Sequence, residues 1–186
     1  IYDILCRIPV FEKNSLLLSV VIFLLILSVS WAATNLFSGR AAFVHVGAVV
    51  GSIMVANVFF VIIPNQKVVV ADLIAGRTPD PSLGQEAKQR STHNNYLTLP
   101  VLLMMVSTHF PMIFAHEQSW IVVALILIVG GIIRDYFNRK NAGAEGRVLQ
   151  WQWPSAAGFM FILILFISYD PRGFGTKGGN APGVPE

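Results

Sequence analysis

Apolar residues in this chain do not alternate with polar ones at helix or strand period; they come in unbroken runs. A hydrocarbon core of about 30 Å needs roughly 20 mostly apolar residues per helix, and five stretches meet that length. They are 16–37, 41–64, 96–115, 119–137 and 153–169, the first opening LLLSVVIFLLILSVSW and the second reading AAFVHVGAVVGSIMVANVFFVIIP. The first two carry no formal charge. Buried helices of a soluble protein would need polar faces that these runs lack. The pattern therefore predicts an all-α, polytopic transmembrane bundle of about five helices spanning 1–169, in contact with a lipid bilayer.

The segments between the runs add a direction. Lys and Arg collect in cytoplasmic loops. One side of a five-crossing chain would hold Arg7, Lys13, Lys67, Arg77, Lys88, Arg90, Arg134, Arg139, Lys140 and Arg147, against Arg40, Arg172 and Lys177 on the other. The N-terminus is thus expected in the cytoplasm and the C-terminus outside, which in a bacterium is the periplasm. The stretch 65–90, with TPDPSLG, has room for a short amphipathic helix near Lys67 to Ala75. After Tyr169 the tail DPRGFGTKGGNAPGVPE has linker composition. A net charge of +3 calls for no nucleic-acid partner, because the basic residues serve topology first. The chain starts Ile1-Tyr2-Asp3 without Met or a charged leader, so a truncated or processed start is expected. The lone Cys6 excludes an internal disulfide and a Cys-x-x-Cys-His haem attachment.

Polar side chains inside a bilayer are costly and tend to be functional. His45 and His109 fall near the outer ends of the second and third helices at similar depth. They are candidate axial ligands of a b-type haem, or else they hydrogen-bond neighbouring helices or sit among headgroups. Gly47 and Gly51 make a Gly-x-x-x-Gly step beside His45, suited to a macrocycle or to ordinary helix packing. His116, beside Glu117, is expected to be solvated. The densest polar run is Gln89-Arg90-Ser91-Thr92-His93-Asn94-Asn95-Tyr96-Leu97-Thr98-Leu99-Pro100. Capping explains one of its residues. Arg90, His93, Asn94 and Asn95, with Asn57, Asn65 and Gln66 nearby, would suit a planar, anionic, hydrogen-bonding ligand, or form an interfacial polar cap. Hydrolase, zinc-protease, dinucleotide and Walker motifs are absent from the sequence.

Several of these residues carry a resemblance. Gly39-Arg40-Ala41-Ala42-Phe43, His45-Val46-Gly47-Ala48, Ala56-Asn57-Val58-Phe59, Ile63-Pro64-Asn65-Gln66 and above all Arg90 to Pro100 resemble the membrane domain of the bacterial cytochrome c-type urate oxidases, or membrane urate hydroxylases. The likeness is closest over 38–115 and looser in the flanking helices. It implies about eight inner-membrane helices followed by a periplasmic cytochrome c domain, with urate oxidised to 5-hydroxyisourate and electrons passed to haem c on that separate domain or chain. On this basis His93 is the expected base or orienting group. Arg90, Asn94, Asn95, Asn57, Asn65 and Gln66 are the expected urate contacts, and His45 and His109 the haem b ligands. The family's first helices and its haem-attachment motif are expected on other segments or membrane subunits. Two other readings are a non-catalytic membrane subunit of a respiratory complex and a permease, for which Asn57, Pro100 and Gly130-Gly131 would be features of broken helices.

Overall fold

A computed structural model describes residues 1–114, 116, 118–143 and 151–169. The expected linker 170–186, the residues Glu117 and Ala115, and the basic residues Arg147, Arg172 and Lys177 lie outside the described residues. Among those described, all regular structure is helical. Two short helices, α1 (Tyr2–Cys6) and α2 (Pro9–Lys13), lead into α3 (Ser15–Leu36). Then come α4 (Gly39–Asn57), a π-helical turn Val58–Ile62, α5 (Ile63–Ile74), α6 (Pro81–Val106), a 3-10 turn Ser107–His109, α7 (Pro111–Phe114), α8 (Ser119–Asn141) and α9 (Gln152–Ser168). The long helices α3, α4, α6, α8 and α9 overlap the five apolar runs.

Helix α3 shows why the runs fold this way. Asn14 caps its start by accepting from the Leu17 amide at 3.1 Å. One stripe, Leu18, Ile22, Ile26, Ser30 and Ala33, is buried, while Leu24 and Trp31 on other faces remain more than half exposed. A helix that is apolar all round but covered on one stripe only needs lipid for the rest. Ser15–Leu36, Gly39–Ile74 and Ser119–Asn141 are long and apolar enough to cross a membrane; α9 is a shorter apolar helix. The shared core comprises Leu18, Ile22, Phe43, Val46, Met104 and Val122 with their neighbours.

Three boundaries differ from expectation. The second helix passes Pro64 and ends at Ile74, 36 residues in all from Gly39. The π-helical turn makes this possible, because Ile63 N–H reaches back five residues to the Val58 carbonyl. Pro64, with no N–H to place, sits in the first turn of α5. The amphipathic helix expected at Lys67–Ala75 is therefore the far end of the same rod. It stops at Gly76, whose φ of 70° only glycine adopts without strain. The third helix starts at Pro81 rather than near Tyr96, because Asp80 accepts from the Ser82 amide at 2.9 Å and Pro81 occupies the first turn. It ends at Val106 instead of Ala115, since Pro111 cannot continue it. Pro100 lies inside α6 without ending it, and Gly130 of unbroken α8 faces its ring. A Cβ at Gly130 would stand 2.9 Å from two ring carbons.

Antiparallel order puts the start of α3, the polar half of α6 and the end of α8 at one end, which also carries Arg7, Lys88, Arg90 and Arg139. The start of α4 lies at the opposite end. There Gly39 meets the Phe114 backbone and Arg40 lies 5.6 Å over the Phe114 ring.

Candidate functional site

Polar residues spaced three and four apart on α6 turn one face of its basic half toward α3. Gln85, Gln89, Thr92, His93 and Tyr96 line a cavity of about 1140 Å³. Its opposite walls come from α3, from Asp135 and Arg139 of α8, and from Gln152 of α9, with Cys6 and Arg7 at the side. Basic Arg7, Lys88 and Arg139 outnumber acidic Glu86 and Asp135 on these walls, so the chamber has a net positive lining.

His93 is held from behind. Its Nδ1 lies 2.8 Å from the Tyr2 hydroxyl, and Asn57 donates to the same hydroxyl at 3.1 Å. Burial pushes the Tyr2 phenol up to about 12, aided by Cys6, so it keeps its proton. Asn57 fills one acceptor position on the phenol, which can still donate to Nδ1 or accept from Nδ1–H. When the phenol donates, the neutral imidazole carries its hydrogen on Nε2. Asn57 also donates to Asn94 Oδ1 at 2.8 Å, and Asn94 donates to the Met54 carbonyl at 2.9 Å. One chain of hydrogen bonds thus joins α1, α4 and α6. Cys6 Sγ lies 4.0 Å from the same Nδ1, its thiol pushed up mainly by burial.

Arg90 has a different situation from the one expected. It is fully buried and lines none of the three cavities described. Nη2 bonds Asp3 Oδ1 at 2.8 Å, the guanidinium lies 5.3 Å over the Tyr2 ring, and Glu86 is 3.9 Å away. Nε and Nη1 have no hydrogen-bond partner among the described residues. Arg90 therefore anchors the N-terminal segment instead of facing the chamber. Asn65 joins the same network by donating to Glu86 at 2.9 Å and to the Leu83 carbonyl at 3.3 Å.

The remaining expected contacts lie elsewhere. Gln66 and Asn95 line a second cavity, of about 680 Å³, between α5, α6 and the end of α8; the Asn95 carbonyl accepts from Arg134 at 3.1 Å. The structure thus brings His93, Asn94 and Asn57 together and places Asn95 and Gln66 apart from them. Pattern reading missed Tyr2, Asp3 and Cys6, whose signal was polar residues on one turn of a short N-terminal helix. It also missed a group across the chamber. Asp135 accepts from the Tyr96 hydroxyl at 2.9 Å and from Arg139 Nε at 2.7 Å, and Gln152 Nε2 donates to it as well.

His45 and His109 occupy the opposite end. Gly47 packs toward Met104 at 3.5 Å from a built Cβ, which brings α4 and α6 together near the two histidines. Both are exposed; His45 donates through Nδ1 to the Ala41 carbonyl at 2.7 Å and stacks on Phe37 with ring centres 4.3 Å apart. A haem between them would need both imidazoles turned into one slot between α4 and α6. Exposed as they are, the two histidines are not enclosed in such a slot. Gly51 has no atom within 4 Å of a built Cβ, so only Gly47 of the glycine step meets a neighbouring helix. His116 is half-buried rather than solvated, tilted on Phe166 at 4.3 Å.

Fold and site together define a polytopic α-helical membrane protein with a polar, net-positive chamber at its basic end. A family model described as urate oxidase N-terminal matches residues 1–168. The chain belongs to that family, and the match runs from α1 through α9, well beyond the 38–115 core of the resemblance. No curated protein and no solved structure matches it.

Proposed function

We propose that this chain is the membrane part of a urate-oxidising oxidoreductase of the bacterial inner membrane, with the chamber facing the cytoplasm. Urate takes the oxygen of water at C5 to become 5-hydroxyisourate. It releases two protons and two electrons, and the electrons leave to a cytochrome c carried on another domain or chain. The observation that carries this reading is His93, fixed by Tyr2 on the wall of a net-positive chamber, in a chain of the urate oxidase N-terminal family.

Urate is a planar monoanion with carbonyl oxygens and ring N–H groups. The cationic lining attracts the anion. His93, with Nδ1 occupied by the phenol proton, presents Nε2–H as a donor to a urate oxygen. It orients substrate rather than acting as a base through Nδ1. Asn57 and Asn94 act through Tyr2 and the α4–α6 contact, and Arg90 acts by holding α1 in place.

The test uses the full chain in lipid nanodiscs with urate titrated by calorimetry. His93→Ala is expected to weaken binding about tenfold, the loss of one buried hydrogen bond of about 1.4 kcal/mol. Membranes that also contain the cytochrome partner should show urate-dependent reduction of haem c. Unaltered urate affinity in His93→Ala would sink the site assignment. No urate binding by the parent chain would leave a non-catalytic membrane subunit of a respiratory assembly.

A further inference from the structure

We propose that Gln152 is a specificity-determining residue of the chamber, whose carboxamide oxygen accepts a ring N–H of the bound heterocycle. The inference rests on the chamber being the urate site.

Asp135 fixes how the Gln152 amide is turned. Its carboxylate is held by three donors from three helices: Tyr96 of α6 at 2.9 Å, Arg139 of α8 at 2.7 Å, and Gln152 of α9. An ionised carboxylate only accepts, so Gln152 must turn its nitrogen toward Asp135 and its oxygen away. That fixes the orientation of the amide. Gln152 Oε1 is consequently a permanent acceptor. The atom is buried and has no donor among the described residues, and it belongs to a side chain that lines the chamber.

Folded proteins leave few buried amide oxygens unpaired, and each calls for a partner. The partner here must bring N–H or O–H. A carboxylate or phosphate ligand has no such hydrogen and would set acceptor against acceptor. A heterocyclic anion of the oxopurine kind has both features that the walls demand, negative charge for the cationic lining and ring N–H for Gln152. On the His93 side, Nε2–H supplies the complementary donor for a carbonyl oxygen. The chamber therefore selects for N–H next to an anion and not for charge alone.

The experiment measures dissociation constants of the full chain in nanodiscs for urate and its four N-monomethyl derivatives, with the parent, Gln152→Met and Asp135→Asn. One methyl isomer is expected to bind the parent at least tenfold more weakly than the other three, a difference of about 1.4 kcal/mol. Gln152→Met, similar in size but without an acceptor, should weaken urate itself about tenfold and reduce the isomer's penalty below threefold. Asp135→Asn, which lets the Gln152 amide turn over, should shrink the same penalty even if the methionine variant does not fold. Equal binding of all isomers to the parent means that Oε1 is satisfied by water, and it overturns the inference. So does a penalty that survives in both variants, since it is then steric. Failure of the parent to bind urate overturns the proposed function along with it, whereas binding without discrimination overturns this inference alone.

Discussion

Removing the Asp3 carboxylate should loosen the whole N-terminal corner of the chamber. Arg90 has a side chain with 0% exposure, and its charge is met by Asp3 at 2.8 Å and, more weakly, by Glu86 at 3.9 Å. Asp3→Ala leaves the buried guanidinium with the distant Glu86 and the Tyr2 ring. Deleting one partner of a fully buried ion pair costs about 3–5 kcal/mol, but an exposed pair contributes about 0–1 kcal/mol. Asp3 is 53% exposed, so water screens it, and the expected cost is about 2 kcal/mol. For a chain of this size each kcal/mol moves the melting temperature by about 2–4 °C, giving a fall of about 4–8 °C. Thermal unfolding in detergent, followed with a thiol-reactive dye, reads this directly. The single Cys6 is buried at 5% exposure in α1 and labels when that helix detaches. Asp3→Ala combined with Arg90→Met should recover most of the loss, because no unpaired charge then remains buried. A shift below about 1 °C in the single variant, or a double variant no better than it, would refute the reasoning.

Two further outcomes are expected. Gly130→Ala places a Cβ 2.9 Å from the Pro100 ring and should destabilise by about 1–3 kcal/mol through overpacking. Gly131→Ala meets nothing within 4 Å and should stabilise by up to about 1 kcal/mol through helix propensity; equal melting temperatures for the two would contradict the packing account. Tyr2→Phe removes the hydroxyl between His93 and Asn57, so nitrogen NMR of His93 should change from one neutral tautomer to a mixture, with urate affinity falling about tenfold. An unchanged tautomer would mean that Tyr2 does not orient the ring.

The helices that touch lipid were readable because the bilayer demands apolar length, and α8 and α9 begin within a residue of the positions that length suggested. The polar half of α6 was not, since Ser82 to Asn95 contain no comparable apolar run. His93, Asn94 and Asn57 stood out as polar groups against an apolar background, and they do meet. Tyr2 was hidden because its partner lies 91 residues away, and no local periodicity encodes that pairing. His45 and His109 illustrate the opposite limit. Sequence position gives depth in the membrane, but a helix that is apolar on every side does not declare which face turns inward. Asp135 and Gln152 read as ordinary loop-end polarity until α6, α8 and α9 were placed side by side.

The π-helical turn Val58–Ile62 has a consequence for rotational phase. Eight α-helical residues separate directions by about 80° at 3.6 residues per turn, which would swing Asn65 away from the side on which Asn57 faces. A turn holding one extra residue takes up about 100°, so the two asparagines differ by only about 20°. Both reach α6 as a result, Asn57 at Asn94 and Asn65 at Glu86. The extra residue acts as a phase corrector in the rod. A chain one residue shorter between Val58 and Ile62 would form a plain α-helix and keep both asparagines in phase, so length variation is tolerable at that turn and at few other places along the 36 residues.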